Sequence, residues 1–388
     1  MPGVGDEGRE ARSVGLGALA RLFGRLSVTA FGGPAAHIAL MQRELVDQRG
    51  WLTDGEFLDL VGASNAIPGP TSTEVALYTG RRQAGIPGLV VAGLGFVGPA
   101  AVIVGVLAWV YARYGARPAV NDVLGGVKPV VVAVVSVALI RLGRTAFTSP
   151  LLVAIGVAVL VAYLAGLTEP VLLLAASAVA VAASAGSFRR RPSGGIPGVV
   201  LMALPTAAAA HGARPDLPRI FGAFLKVGAL LFGSGYVLLA FLRRDLVLSH
   251  GWLTEGQLLD AIAVGQVTPG PLFTTATFVG YLLHGVAGAV VATVAIFLPA
   301  FVMTAVLEPV IARLRTRPVT AAALDGLNAS AVALMAGVTW FLGRDAVVGV
   351  PTAVLAVGAL VALLRWRVNP VWLIAAGAAA GLILRGRL

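Results

Sequence analysis

The chain of 388 residues is 58% hydrophobic and only 12% charged, which excludes an ordinary soluble globular protein. Its formal net charge of +11 comes mostly from arginines at the ends of apolar runs, and no basic stripe with interleaved aromatic residues indicates nucleic-acid binding. The chain has no cysteine, which excludes disulfides, thiolate metal ligands and thiol chemistry.

Apolar runs long enough to cross a bilayer recur from end to end, so the sequence predicts an all-α polytopic membrane protein. Six segments lie in the first half, near residues 14–40, 55–80, 86–111, 119–140, 149–165 and 168–187. Six more lie in the second half, near residues 220–241, 256–283, 286–312, 319–342, 347–364 and 370–385. No cleavable signal sequence is expected ahead of the first segment.

The second half repeats the first without a gap over the clearest stretch, since Gly50-Trp51-Leu52-Thr53 recurs as Gly251-Trp252-Leu253-Thr254. We therefore divide the chain into a first repeat over 1–190 and a second over 218–388. The part between them, 191–217, is either a linker or a thirteenth span from Ile196. Most arginines of the loops fall on one side of the membrane if the second repeat is inverted, and the exceptions are Arg113, Arg117, Arg385 and Arg387. Inverted repeats with broken helices mark secondary transporters.

The stretches "WLTDGE" and "WLTEGQ" predict helix starts with capping boxes, in which Thr53 and Thr254 cap and Glu56 and Gln257 reach back. Each start lies about 15 residues before a proline pair, which would place that pair deep in the membrane. The matched Asp59 and Asp260 lie early in these helices, which favours a helix-dipole or interhelical hydrogen-bonding role.

Each half carries a Pro-Gly-Pro interruption, at Pro68-Gly69-Pro70 and at Pro269-Gly270-Pro271. Proline inside a helix removes a hydrogen bond and clashes with the preceding turn. A new half-helix is therefore predicted after each second proline, and its free amides and dipole favour an anion. A kink required only for packing is the alternative.

The candidate anion-binding residues flank the two breaks and offer backbone amides, hydroxyls or side-chain amides. They are Asn65, Gly69, Thr71, Ser72 and Thr73 in the first half and Gln266, Gly270, Thr274 and Thr275 in the second. A second matched pair, "FGGP" and "FGSG", adds Gly32, Gly33, Gly233 and Ser234, as further breaks or as helix-packing positions.

Three cations within apolar segments are candidates to offset the charge of an anion: Lys226, its repeat partner Arg25, and Lys128. Snorkelling to the interface is the alternative for Lys226 and Arg25. Glu74 follows the first hydroxyl cluster and has Thr275 as its counterpart. It is a candidate to carry a coupling proton, and pairing with Arg25 or Lys128 is the alternative.

The stretches "SVTAFGGPAAHIALMQRELV", "SNAIPGPTSTE", "FLKVGALLFGSGYVLLAFLRRDLV" and "AVGQVTPGPLFTTATFVGYLLHGVAGAVVATVAIFLPAFV" resemble the chromate ion transporter (CHR) family in its long two-domain form. The resemblance implies a multi-pass plasma-membrane transporter that exports chromate and confers chromate resistance, with sulfate as the structural mimic. The chain departs from the family where it has Ser64-Asn65 in place of a Cys-Gln-like pair, Glu74 in place of glutamine, and Gly-Ser-Gly in place of three glycines.

These observations together predict a secondary transporter of a tetrahedral oxyanion, in which one half rocks against the other to alternate access. An anion channel and a membrane protein that binds lipid phosphates are the alternatives. An enzyme is not expected, because no acid–base, nucleophile or metal constellation is present, and no cofactor is predicted. The expected partners are the oxyanion and the lipid bilayer, and homodimerisation is left open.

Overall fold

The computed structural model describes residues 14–31, 34–64, 69–115, 117–187, 215–231, 238–315, 318–366 and 368–384. Every regular element within these ranges is a helix, which confirms the predicted all-α class. The short run from Ile196 lies outside the described residues, so the choice between a linker and a thirteenth span stays open.

The helices occupy the predicted apolar segments, although some segments are divided between two helices. The first half contains α1 (Leu16–Thr29), α2 (Pro34–Gln42), α3 (Asp54–Ser64), α4 (Thr71–Tyr114), α5 (Pro118–Ala146), α6 (Pro150–Leu164) and α7 (Glu169–Ser187). The second half contains α8 (Leu217–Leu230), α9 (Leu238–Leu242), α10 (Glu255–Val267), α11 (Thr275–Arg315), α12 (Pro318–Ala346), α13 (Val350–Arg365) and α14 (Pro370–Ile383). A π-helical turn continues α2 over Arg43–Gln48 and α9 over Arg243–Ser249, and a 3₁₀ turn, Leu272–Thr274, precedes α11.

Helices long and apolar enough to cross a membrane occur in both halves, over Thr71–Tyr114, Ala119–Ala146, Leu272–Val306 and Pro318–Ala346. Shorter apolar helices lie over Pro150–Leu164, Glu169–Ser184, Val350–Arg365 and Pro370–Ile383. Length and composition therefore agree with a multi-pass membrane protein.

The two longest helices are each sharply kinked near one third of their length. In α4 the kink lies at Ala84 and Gly85, where Gly85 has φ +63°, and in α11 it lies at His284 and Gly285, where Gly285 has φ +58°. Positive φ is readily adopted by glycine, which explains this residue at both turns. Each kink falls where the sequence predicts a boundary between two apolar segments.

One prediction about the segments is wrong, because residues 55–80 do not form one continuous span. The side chain of Arg82 contacts the Glu56 carboxylate, and Gln83 donates a hydrogen bond from Nε2 to the carbonyl of Trp51 over 3.0 Å. In one straight helix Glu56 and Arg82 would lie roughly 40 Å apart. The helix α3 and the first segment of α4, residues 71–83, therefore form a hairpin, and Gly69 and Pro70 lie at the described part of its tip.

The segment predicted over 14–40 is also folded back on itself. Arg25 of α1 forms an ion pair of 2.5 Å with Glu44, which lies in the π-helical turn after α2. The matched residues of the second half repeat this contact, because Lys226 of α8 lies 2.9 Å from Asp245. These ion pairs hold the two arms of each hairpin together.

The helices form two packed groups. The first group, which we call the core, contains the hairpin helices α1–α4 and α8–α11, with α1 against α4, α8 against α11, and α4 against α11. The second group, the peripheral bundle, packs α5, α6 and α7 against α12, α13 and α14. Both groups mix helices of the two halves, so each half contributes to each group.

The helix starts match the predicted caps. Thr53 Oγ1 accepts from the Glu56 amide over 3.3 Å, and the Glu56 carboxylate accepts from the Thr53 amide over 2.8 Å. Thr254 and Gln257 form the same reciprocal pair. Both predicted capping boxes are thus confirmed.

Candidate functional site

The two Pro-Gly-Pro breaks each contact the opposite half of the chain. The amide of Gly69 donates to the carbonyl of Leu231, at the end of α8, over 2.8 Å. The amide of Gly270 donates to the carbonyl of Ala30, at the end of α1, over 3.1 Å. These reciprocal hydrogen bonds place both breaks at the centre of the core, where the ends of α1 and α8 also meet them.

Both central glycines occupy positions that a larger side chain cannot fill. A Cβ atom on Gly69 would lie 3.1 Å from the Cβ of Ala300, and one on Gly270 would lie 2.4 Å from the Cβ of Ala100. Gly69 has φ +148° and Gly270 has φ +95°. Glycine is therefore required at both breaks by backbone conformation and by the approach of the opposite half.

New helices begin directly after the breaks. The amides of Thr73 and Glu74 donate to the carbonyl of Pro70 over 2.8 and 3.1 Å, so the hydrogen bonding of α4 begins at that carbonyl. After the second break, Thr274 donates to Pro271 over 3.0 Å in the 3₁₀ turn. The partial positive charge at the start of α4 points into the break.

A histidine to which the sequence assigns no role connects the two sides of this centre. His37 lies on α2, and its Nε2 is 3.0 Å from the carbonyl of Ala30, while its Nδ1 is 3.3 Å from Ser72 Oγ. A carbonyl can only accept, so Nε2 carries the proton and Ser72 donates to Nδ1. The Ser72 proton is therefore committed to His37. The only sequence signal was an isolated histidine just after "FGGP".

The other hydroxyls differ between the two breaks. Thr274 and Thr275 donate from Oγ1 to the carbonyls of Pro271 and Leu272, each over 2.8 Å, so local backbone uses both protons. By contrast, Thr73 Oγ1 is fully buried and has no hydrogen-bond partner among the described residues. Thr73 is thus a buried hydroxyl donor that the described protein leaves unused.

Two more buried donors near the breaks lack partners within the part of the chain that the structure describes. Gln266, one residue before the end of α10, has an unpaired Nε2, as its predicted role requires. Thr304 lies one helical turn after Ala300 on α11, is fully buried and has an unpaired Oγ1. The repeat gave no signal for Thr304. Unpaired buried donors are rare in proteins and call for a bound ion or water.

Glu74 is fully buried at the first break. Neither carboxylate oxygen has a hydrogen-bond partner among the described residues, and a Cβ on Gly69 would lie 2.4 Å from Glu74 Oε1. The alternative that Glu74 pairs with Arg25 or Lys128 is wrong, because those cations pair with Glu44 and Asp260. Among the described residues, Glu74 therefore has no ion-pair partner at the break.

The three predicted cations all contact carboxylates. Besides the two hairpin pairs of Arg25 and Lys226, Lys128 of α5 lies 3.1 Å from Asp260, which also accepts a hydrogen bond of 2.7 Å from Tyr111 Oη. The predicted interhelical role of Asp260 is confirmed, whereas the side chain of Asp59 lies outside the described set. As anion ligands the three cations stay predictions.

Other predicted site residues cannot be placed. Gly32, Gly33, Gly233, Ser234 and Asn65 lie outside the described residues.

Ion pairs also connect the core to the peripheral bundle. Arg244, in the π-helical turn after α9, lies 3.2 Å from the buried carboxylate of Glu169 at the start of α7. The neighbouring Arg243 lies 4.1 Å over the ring of Phe341 on α12 and 2.6 Å from Glu255. The contact between Lys128 and Asp260 is a further link of this kind.

Comparison with known proteins gives a consistent result. A family model described as "Chromate transporter" matches residues 17–182 and 218–382. The chain is 32% identical over 369 residues to the chromate transport protein of Cupriavidus metallidurans, covering 93% of this chain and 91% of the relative. It is 34% identical over 352 residues to the chromate transport protein of Pseudomonas aeruginosa, covering 85% and 82%. No solved structure matches.

Proposed function

The chain belongs to the chromate transporter family, a family of multi-pass membrane transporters rather than enzymes, and we propose that it is a secondary transporter that exports chromate from the cell. Sulfate, which is also a tetrahedral oxyanion, would compete for the same site. The proposed site lies between the two Pro-Gly-Pro breaks, and access to it would alternate between the two sides of the membrane.

The observation that carries this proposal is a set of buried donors that lack partners among the described residues. Thr73 Oγ1 and Gln266 Nε2 lie a few residues from the breaks in sequence, and Thr304 Oγ1 lies one helical turn after Ala300. A buried donor without a partner costs about 1–3 kcal/mol, so a ligand that accepts hydrogen bonds would stabilise the protein. The four oxygens of a tetrahedral oxyanion are acceptors. The start of α4 adds the partial positive charge of a helix N-terminus.

The ion pairs around the core argue for a site built mainly from neutral donors. Arg25, Lys226 and Lys128 would have to leave Glu44, Asp245 and Asp260 to contact an anion directly. Each departure would leave a carboxylate without its partner, which is costly for the buried ones. We therefore assign these cations a supporting electrostatic role. The residues at the breaks would form the hydrogen bonds to the anion.

Two contacts support an inverted arrangement of the halves. Arg81, at the open end of the α3–α4 hairpin, donates to the carbonyls of Thr304 and Ala305 in the later part of α11. Tyr111, near the end of α4, donates to Asp260 near the start of α10. The hairpins of the two halves therefore open at opposite ends of the core, as halves related by an axis in the membrane plane would do.

The same contacts bear on how access could alternate. The reciprocal hydrogen bonds of Gly69 and Gly270 tie the two halves together at the centre, so rocking one half against the other would break both. Core and peripheral bundle are instead linked by ion pairs such as Arg244 with Glu169. We propose that the core moves against the bundle, carrying the site with it.

Transport of chromate by the purified protein in sealed vesicles tests the proposed function. Thr73→Val and Gln266→Leu should each lower chromate flux by about 10–100-fold, because a hydrogen bond to a charged group contributes about 1.5–3 kcal/mol. Thr339→Val is the matched control, since Thr339 donates only to the carbonyl of Met335 in its own helix, α12.

Three outcomes are informative. Saturable wild-type flux that sulfate inhibits supports the transporter, whereas flux that does not saturate indicates a channel. No chromate flux by the wild type in vesicles of either orientation would overturn the proposal.

A further inference from the structure

We propose that Glu74 is a proton-binding site within the anion site, so that a proton and the oxyanion are bound and carried together. This inference rests on the proposed function and adds the identity of a coupling ion. It starts from the placement of the carboxyl group at the first break, where a Cβ on Gly69 would meet both Glu74 Oε1 and the Cβ of Ala300 from the opposite half.

The environment of the Glu74 carboxyl group disfavours its ionised form. Glu74 is 0% exposed, and both of its oxygens lack hydrogen-bond partners among the described residues. An ionised carboxylate buried without a partner is very unfavourable, so the group needs a bound cation or a proton. A Cβ on Gly69 would already lie 2.4 Å from Oε1, which leaves no space on that side for a hydrated metal ion.

Several charged groups on α4 and the helices around it contact partners other than Glu74. Arg25 of α1 pairs with Glu44, and Asp260 of α10 pairs with Lys128. His37 of α2 bonds to Ser72 and Ala30. Arg81, about two turns further along α4, donates to carbonyls of α11. The remaining titratable groups on these helices are Arg21 on α1, Asp54, Glu56 and Asp59 on α3, Glu255 on α10, Tyr78, Arg82, Tyr111, Arg113 and Tyr114 on α4, and Tyr281, His284, Glu308, Arg313 and Arg315 on α11.

The two breaks differ in the residue at the position of Glu74. The position that matches Glu74 holds Thr275, whose hydroxyl donates to the carbonyl of Leu272. The second break therefore has no ionisable group at this position, and the first break has one. A single carboxyl group beside the shared site gives one proton per transported anion.

Electrostatics then sets the sign of the coupling. An ionised Glu74 would repel the oxyanion across a low-dielectric distance, and a protonated Glu74 would not. Binding of the proton therefore strengthens binding of the anion, and the reverse holds by linkage. A dianion carried with one proton has a net charge of −1, so an inside-negative membrane potential still drives it outward.

Equilibrium binding of selenate to the purified protein in lipid nanodiscs tests this site. Selenate is tetrahedral and keeps its charge across the pH range used, whereas chromate itself takes up a proton. In the wild type, affinity should fall by up to about tenfold per pH unit as the pH rises, which is the limit for one linked proton. In Glu74→Gln, which preserves the shape of the side chain, affinity should not depend on pH.

A control variant and a spectroscopic measurement complete this test. Glu56→Gln removes a partly exposed carboxylate at the open end of the same hairpin and should keep the wild-type pH dependence. Infrared spectroscopy should show the C=O stretch of a protonated carboxyl group in the wild type, strengthened by selenate and missing from Glu74→Gln.

The outcomes separate the two proposals. Equal pH dependence in wild type and Glu74→Gln would overturn the proton site while leaving the transporter intact. Affinity that depends on Na⁺ at constant pH in the wild type alone would overturn it in favour of a metal cation. Failure of the wild type to bind selenate at any pH would contradict the proposed anion site itself.

Discussion

Gly270→Ala is expected to reduce chromate flux in vesicles by at least about 100-fold. The added Cβ would lie 2.4 Å from the Cβ of Ala100 and 3.2 Å from the carbonyl of Ser27, so the tip of the α10–α11 hairpin must move. The φ of +95° adds strain of about 1–3 kcal/mol for a residue other than glycine. Movement of the tip would also break the hydrogen bond from Gly270 to Ala30.

Gly69→Ala should have a similar effect for the same reasons at the matched break. Its Cβ would lie 2.4 Å from Glu74 Oε1 and 3.1 Å from the Cβ of Ala300. Gly98→Ala is the matched control, because a Cβ there meets no atom within 4 Å and the residue lies inside α4. Wild-type flux in Gly270→Ala, with Gly98→Ala also active, would contradict the role assigned to the breaks.

Fixing the core to the peripheral bundle is expected to stop transport completely. The chain has no cysteine, so a pair introduced at Arg244 and Glu169 can be joined by a short bifunctional thiol reagent without competing sites. Arg244 lies 3.2 Å from Glu169 across the boundary between α9 and α7. Because both charged partners are removed together, no buried charge is left unpaired. Flux should be lost on cross-linking and return on cleavage of the reagent.

The control cross-link lies within one hairpin of the core. A cysteine pair introduced at Arg82 and Glu56 joins the two arms of the α3–α4 hairpin at its open end. The two native side chains already contact each other there. If the hairpin moves as one unit, this cross-link should leave flux unchanged. If chromate flux is undiminished after the cysteines at positions 244 and 169 are cross-linked, the core does not move against the bundle during transport. Rocking of one half against the other would then be favoured.

Features set by local chemistry could be predicted from the sequence. Thr53 and Thr254 cap their helices as expected, because the capping box depends only on residues three positions apart. Helix α4 begins at Thr71 because Pro70 cannot donate an amide hydrogen bond. The membrane class follows from composition, and the family from the long repeated stretches.

Features set by long-range packing could not be predicted in this way. Hydropathy does not distinguish one span from a hairpin of two short helices, so the return of Arg82 to Glu56 was missed. The signal for the ion pairs was present, since Glu44 and Asp245 occupy matched positions, as do their partners Arg25 and Lys226. Considered together, these matched opposite charges predict that each cation pairs with the carboxylate of its own hairpin.

The roles of His37 and Thr304 depend on contacts between helices distant in sequence. His37 reaches Ser72 only because the α1–α2 hairpin packs on α4. Thr304 comes close to the first break because Ala300, one turn earlier, lies against Gly69. Both residues are ordinary in sequence, and only the folded core gives them a place at the site.

We propose that an oxyanion binds between the two breaks through neutral donors. Anomalous X-ray diffraction from crystals grown with selenate locates the anion directly by its selenium atom. We expect one peak with oxygens within hydrogen-bonding distance of Thr73 Oγ1 and Gln266 Nε2, and its loss in the double variant Thr73→Val, Gln266→Leu. A peak at Lys226, Arg25 or Lys128 instead, with no density between the breaks, would contradict it.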